Sequence, residues 1–277
     1  MDPGRYCEDQ ILVPGTAYHY ALGPLRQPTR AEVCTVFTLK HELENSAYLP
    51  TEPDVAHTKL AWWHDELDRL ACAHPRHPIT RALLPMMANY EIGVAGLHAM
   101  VDALRRDRDA GGYSTFDVLK KRCIDVEARV LEITVRIVAL PGSPAAGEFA
   151  RDLGIGLALS RFICEFGRDA RRNRVFIPRD ELERYAVPLT DLLHAQPENM
   201  SACLDYQIAR AIEYIDKAMA LLPHDLKASQ QPVLTLAAIS RATLREIQRH
   251  QIEQTRETLL LTPLRMWWIA FRTYHRL

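Results

Sequence analysis

Four charged side chains recur at helical spacing in the segment RDLGIGLALSRFICEFGRDARRNRVFIP: Arg161, Glu165, Asp169 and Arg172. Residues four apart stack one turn above another, so Glu165 and Asp169 can converge on one ligand. Two carboxylates so placed suit a helical Mg2+ site, because Mg2+ takes hard oxygen ligands and commonly shares them with phosphate. The same residues also read as a solvated ladder, with Arg161 pairing to Glu165 and Arg172 near Asp169. Each such pair is worth only about 0.2–0.5 kcal/mol. On another face of the same helix, Ile155, Leu159, Phe162, Ile163 and Phe166 form an apolar stripe.

The elements that would position this face are helical throughout. Thr29-Arg30-Ala31-Glu32 reads as a capped helix start, and Val33, Val36, Phe37, Lys40 and Leu43 follow at helical spacing to about Ser46. Two prolines in Ala47 to Asp54 stop that helix. Asp54 is expected to cap the next, which runs to about Cys72 with Leu60, Trp63, Leu67 and Leu70 on one side. His74 to Pro78 ends it, and helices from Ile79 and from Tyr90 to about Arg106 come next. Ser114 to Asp117 caps a helix expected to reach Leu140, where the Pro141–Pro144 segment breaks the chain. One helix is then expected from Ala145 to Arg172, a short one near Arg179 to Tyr185, and long ones over Ser201–Leu222 and Pro232–Glu257. No run alternates long enough to argue for a sheet, and no repeat or linker divides the chain. The expectation is a single all-α domain over residues 1–277, with an N-terminal extension (1–17) and an amphipathic C-terminal tail (263–277).

Bulk properties exclude several classes of function. With 34 basic and 35 acidic residues the net charge is −1, which gives no field for nucleic acid, so no nucleic-acid partner is expected. The six cysteines have neither CxxC pairs nor zinc spacing and read as small buried hydrophobes in a reducing compartment. His41, His64, His74 and His77 include no His-x3-His pair, so they read as surface or capping residues, although His64 and Asp68 are four apart. Trp62 and Trp63 read as packing. GxGxxG, Walker and GxSxG motifs are missing. The opening MDPGRYCEDQ has no apolar core and no stretch of about 18 apolar residues follows, so a cytoplasmic protein is expected. The tail mixes Trp267, Trp268, Phe271 and Tyr274 with Arg265, Arg272 and Arg276. It suits either a membrane surface or a final helix docked on the bundle.

Several ordered segments resemble the squalene/phytoene synthase family. The Glu165 region is similar to its second aspartate-rich motif, Q-L-T-N-I-L-R-D-x-x-x-D followed by R-R-G-R-I-Y-L-P. Lys59 to Leu67 (KLAWWHDEL) is similar to the family's L-x-W-W-x-x-x-L helix, and His77-Pro78 matches a recurrent His-Pro. Ala99 to Asp102, then Tyr113 and Phe116, resembles M-x-x-D with Y-x-T-x-x-x-L. The resemblance implies the isoprenoid-synthase-type fold, a helical bundle around a central cavity. It also implies prenyl transfer between isoprenoid diphosphates, with Mg2+ as cofactor. On this chain the metal ligands would be Glu42, Glu165 and Asp169, and diphosphate would be held by Arg171, Arg172 and Arg174.

The pattern departs at several positions. Ala158, Arg161, Cys164 and Phe176 stand where the family has glutamine, asparagine, arginine and tyrosine, and His41-Glu42-Leu43-Glu44-Asn45 replaces D-D-x-x-D. Glu44, two residues after Glu42, should point away from it. Arg161, Arg168 and Arg172 outnumber Glu165 and Asp169, and an arginine competes with a metal for a carboxylate. Phe37 to Leu43 is also similar to the F-x-x-E-L helix of respiratory complex I assembly factors, catalytically silent relatives of these enzymes. Two readings therefore stand: a divergent member binding an isoprenoid diphosphate or related amphiphile, or a silent protein that keeps the fold for a protein partner.

Overall fold

The computed structural model describes residues 2–138, 144–189, 192, 197–223, 226–250 and 261–276, and no strand occurs among them. Apolar residues at helical spacing fold into α1 (Pro3–Ile11), α2 (Ala17–Leu22), α3 (Thr29–Tyr48), α4 (Pro53–Ala71), α5 (Pro78–Asn89) and α6 (Val94–Ala110). There follow α7 (Phe116–Cys123), a π turn (Ile124–Ala128), α8 (Arg129–Ile137), α9 (Pro144–Cys164), α10 (Phe166–Ala170) and α11 (Arg179–Arg184). The last three are α12 (Pro197–Leu221), α13 (Gln231–His250) and α14 (Pro263–Arg276). The expected break at residues 141–143 and the expected end of the Pro232 helix beyond residue 250 lie outside the described residues.

Helix α9 is the axis of the bundle, packed by α8, α12, α13 and the π turn. Phe149, Leu153, Ile155, Ala158, Leu159 and Phe162 are buried on it. Two of its glycines permit the close approach. A Cβ on Gly154 would stand 2.5 Å from Ala128 Cα, and one on Gly156 would stand 2.7 Å from Ile215 Cγ1. The expected stripes of α3, α4 and α9 all face the core, including Leu60, Trp63, Leu67 and Leu70. The N-terminal residues are no loose extension: α1 packs on α3 and α5 and buries Cys7 and Ile11.

Four local expectations are corrected. Helix α3 starts behind Pro28 with no side-chain cap, so Thr29 lies inside it; α4 starts at Pro53 behind Glu52, leaving Asp54 in its first turn. At the first position of α4, Pro53 supplies the right φ and lacks only an amide hydrogen that would go unbonded. The helix after Ser114 is interrupted by the π turn at Ile124–Ala128. The helix expected to continue to Arg172 stops at Cys164, where Glu165 takes φ −101°, ψ 4° before α10 begins.

Candidate functional site

Helices α2, α3, α8, α9, α13 and α14 enclose a cavity of about 320 Å3. Phe37, Val130, Leu131, Leu157, Leu236 and Ile239 line its apolar part, and Lys40, Glu127, Arg161 and Glu165 form a charged end. A mostly apolar hollow with a few grouped polar side chains is the usual form of a small-molecule site.

The charged end belongs to a buried ionic network. Lys40 Nζ donates to Glu44 Oε2 at 2.7 Å, an i, i+4 pair inside α3. From α9, Arg161 Nη2 reaches Glu44 Oε1 at 2.8 Å and Glu127 Oε1 at 2.9 Å. Arg122 is the hub: it donates to Glu44 at 3.2 Å, to Asp107 at 2.9 Å and closely to Glu127. The π turn brings Glu127 to this point, because an extra residue per turn rotates it relative to the α-helical register of Arg122. Tyr48 and Tyr113 both donate to Asp107. Phe162 and Phe176 stack with ring centres 4.0 Å apart, and the Arg122 guanidinium lies 5.1 Å from the first and 5.9 Å from the second.

Burial opposes the charges of Glu44, Glu127, Arg122 and Arg161, yet the partners prevail. Burial alone would raise the carboxyls of Glu44 and Glu127. Arg161, Lys40 and Arg122 outweigh it at Glu44, and Arg122, Lys40 and Arg161 do so at Glu127, so both are held below the ordinary carboxylate range. Burial likewise would lower Arg122 and Arg161, but the carboxylates around them hold both firmly protonated.

The expected metal ligands do not converge. Glu42 stands beside Tyr6 and His77, whose protonation its charge affects, on the side of α3 away from the network. Glu44, expected to face elsewhere, is the α3 carboxylate that meets α9. The Asp169 amide still bonds to the Glu165 carbonyl at 2.9 Å, but the two carboxylates take different partners. Glu165 faces the cavity and pairs with Arg161 at 3.4 Å and Arg168 at 2.5 Å, whereas buried Asp169 binds Arg174 closely. Arg168 touches both, at 2.5 and 3.9 Å. The partner of Asp169 is Arg174 rather than Arg172, whose backbone N–H bonds to the Asp169 carbonyl.

The donor chemistry does not suit Mg2+. Both oxygens of Glu44 and both of Glu127 already accept from Lys40, Arg122 or Arg161. Mg2+ needs carboxylate oxygens at about 2.0–2.1 Å, the places these cations hold. A further positive charge about 4 Å from an arginine meets roughly 4 kcal/mol of repulsion per unit charge at an effective dielectric of 20. Among the described residues no group of three or more His, Cys, Asp or Glu is placed to hold a metal.

The expected diphosphate arginines lie elsewhere too. Arg171 and Arg172 are exposed on the turn after α10 and line, with Arg108, Arg174 and Phe176, an outer cleft of about 600 Å3. No residue lines both this cleft and the apolar cavity. The wall between them contains the stacked Phe176 and the Arg122 network. Sequence reasoning missed Lys40, Glu44, Arg122 and Glu127 as a unit. Lys40–Glu44 carried an i, i+4 signal, but Arg122–Glu127 is five residues apart and meaningful only across a π turn.

The all-helical bundle around a cavity is the isoprenoid-synthase-type fold. It superimposes on a dehydrosqualene synthase solved with a ligand at a TM-score of 0.78, with 18% identity over 99% of this chain and 97% of that one. The squalene/phytoene synthase family pattern matches residues 14–267, and the chain belongs to that family. It is 25% identical over 210 residues to the phytoene synthase of Arthrospira platensis, covering 70% of this chain and 67% of that protein. To the phytoene synthase of Mycobacterium tuberculosis it is 24% identical over 244 residues, covering 87% and 80%. The family places it in isoprenoid biosynthesis, and the family binds isoprenoid diphosphates.

Proposed function

We propose that this member of the family binds a prenyl-type amphiphile in the α2–α3–α9–α13 cavity and does not ionise a diphosphate with Mg2+. The observation that carries this reading is the commitment of Glu44 and Glu127 to Lys40, Arg122 and Arg161. In the cavity wall the charges of Lys40 and Arg161 are matched by Glu127 and Glu165. A head group that is neutral, or that displaces Glu165 from Arg161, suits such an end better than a metal–diphosphate complex.

The outward face of α14 supports a membrane source for that ligand. Met266 lines the cavity, while Leu264, Trp267, Trp268 and Phe271 are 42–74% exposed on the helix's other side. Aromatic and aliphatic side chains beside arginines such as Arg272 suit insertion at a lipid–water boundary. The helix is also docked, through Tyr274 Oη on the Ala21 carbonyl at 2.8 Å and Arg265 on Glu246 at 2.7 Å. The docking is observed, and the exposed aromatic face is what supports the membrane reading. That exposed face equally supports the second reading, a silent protein with a protein partner. A lack of binding to anionic vesicles would favour it.

The test is thermal denaturation with farnesol or farnesyl diphosphate, each with Mg2+ or with chelator. A ligand selective for the native state raises the midpoint, by about 2.7 kcal/mol of stability at one hundred times Kd. The proposal expects a rise that is indifferent to Mg2+ and is lost in Leu157→Trp, which fills the cavity. A rise that appears only with Mg2+ contradicts it.

A further inference from the structure

Outside the cavity, two His–Asp pairs of i, i+4 spacing face each other across the contact of α4 with α6: His64 with Asp68, and His98 with Asp102. The pairs are crossed. His64 Nε2 lies 3.1 Å from Asp102 Oδ1, and His98 Nε2 lies 3.1 Å from Asp68 Oδ1. A carboxylate can only accept, so each Nε2 carries the hydrogen, and in its neutral form each ring presents a lone pair at Nδ1. Those two Nδ1 atoms stand 2.7 Å apart. The ring centres are 4.8 Å apart with planes inclined by 17°. That centre-to-centre distance is close to the nitrogen gap plus the two ring radii, so the rings meet edge to edge in nearly one plane. Two lone pairs pointed at each other repel unless a positive centre lies between them.

We propose that His64 and His98 bind a divalent ion of the Zn2+ type between their Nδ1 atoms, with water completing its shell, as a clip between α4 and α6. Imidazole nitrogen suits Zn2+ and its late-transition neighbours. A metal-bound histidine characteristically donates its second N–H to a carboxylate, which fixes the ring and raises its basicity; here both rings have that support. Nitrogens at about 2.0 Å from a tetrahedral Zn2+ stand roughly 3.3 Å apart, so the rings need open by only about 0.6 Å. The histidine side chains are 25% and 23% exposed, which leaves room for water ligands. Arg105 lies 3.3 Å from Asp102 and helps hold that carboxylate in place. The site is independent of the cavity and of the reading given to it.

The experiment is calorimetric titration of the metal-free full chain with Zn2+, in a Cys72→Ser background that removes the exposed thiol at the end of α4. The expected result is one Zn2+ per chain at this site. That binding should be lost in His64→Ala and in His98→Ala, and weakened about 10- to 100-fold in Asp68→Asn/Asp102→Asn. X-ray absorption of the Zn2+-loaded unmutated chain should report two imidazole nitrogens, a readout that does not depend on how the variants fold. Failure of the parent chain to bind Zn2+, binding unchanged in both histidine variants, or a shell without two imidazoles would each overturn the proposal. The first of those outcomes would leave a shared proton as the bridge.

Discussion

Replacing Arg122 with methionine should be among the most damaging single changes in the bundle. The side chain is 3% exposed and is bound to three carboxylates, Glu44, Asp107 and Glu127. Methionine fills similar volume without a charge, so the cost isolates the unpaired carboxylates. Removing one partner of a buried pair typically costs 3–5 kcal/mol. At about 2–4 °C per kcal/mol in a chain of this size class, the midpoint should fall by roughly 6–20 °C. The pH dependence sharpens the test. In the parent chain Glu44 and Glu127 titrate below their ordinary range, so their contribution is full above that range and is lost progressively as pH falls from it toward their depressed native values. In the variant, burial works against a weakened set of cations, both carboxyls move upward, and proton uptake relieves the strain. The gap between parent and variant should therefore be widest near neutrality and narrow as pH falls below about 5. Thermal or urea unfolding at a series of pH values reads both quantities. A loss under about 1 kcal/mol, or a gap that does not change with pH, would refute the claim that Arg122 neutralises this cluster.

Other consequences are narrower. Glu66, fully buried, accepts from the Arg76 and His77 amides at 2.7 and 2.8 Å, from Thr80 at 2.5 Å and from Arg69 at 2.8 Å. Against burial, these donors pull its carboxyl down to about 2, so its contribution should persist above ordinary carboxylate pH and be lost as pH falls toward that value. Glu66→Ala should cost about 3 kcal/mol or more by urea unfolding, through donors left unsatisfied. Gly154→Ala would gain about 1 kcal/mol of helix propensity in open space. With its Cβ 2.5 Å from Ala128 Cα, it should instead destabilise by about 1–3 kcal/mol in the same measurement. Trp267→Ser/Trp268→Ser/Phe271→Ser should abolish flotation with anionic vesicles while leaving the melting midpoint within a few degrees, since these side chains are about half exposed.

Legibility of the fold followed the strength of the periodic signal. The stripes on α3, α4 and α9 are legible because each repeats through several turns against one core. Caps are less legible: Thr29 and Asp54 have capping side chains, but α3 begins behind Pro28 and α4 begins with Pro53 itself. The site suffered most where a helix is not ideal. Glu165 and Asp169 keep their one-turn spacing, but Glu165 turns to Arg161 and Arg168 while Asp169 is taken by Arg174, a choice of partners that spacing alone does not set. Arg122 and Glu127 look unrelated unless a π turn intervenes. The choice between Glu42 and Glu44 depended on how α3 is rotated against α9, which packing decides and local spacing does not.

The most direct test of the central claim is incubation of the purified chain with farnesyl or geranylgeranyl diphosphate and Mg2+, followed by assay of released pyrophosphate and extractable hydrocarbon. If lysine and arginine neutralise the carboxylates at the charged end of the cavity, neither pyrophosphate nor a condensed product should form above the protein-free background. Mg2+-dependent release of pyrophosphate, abolished by Glu165→Gln or Asp169→Asn, would contradict the account.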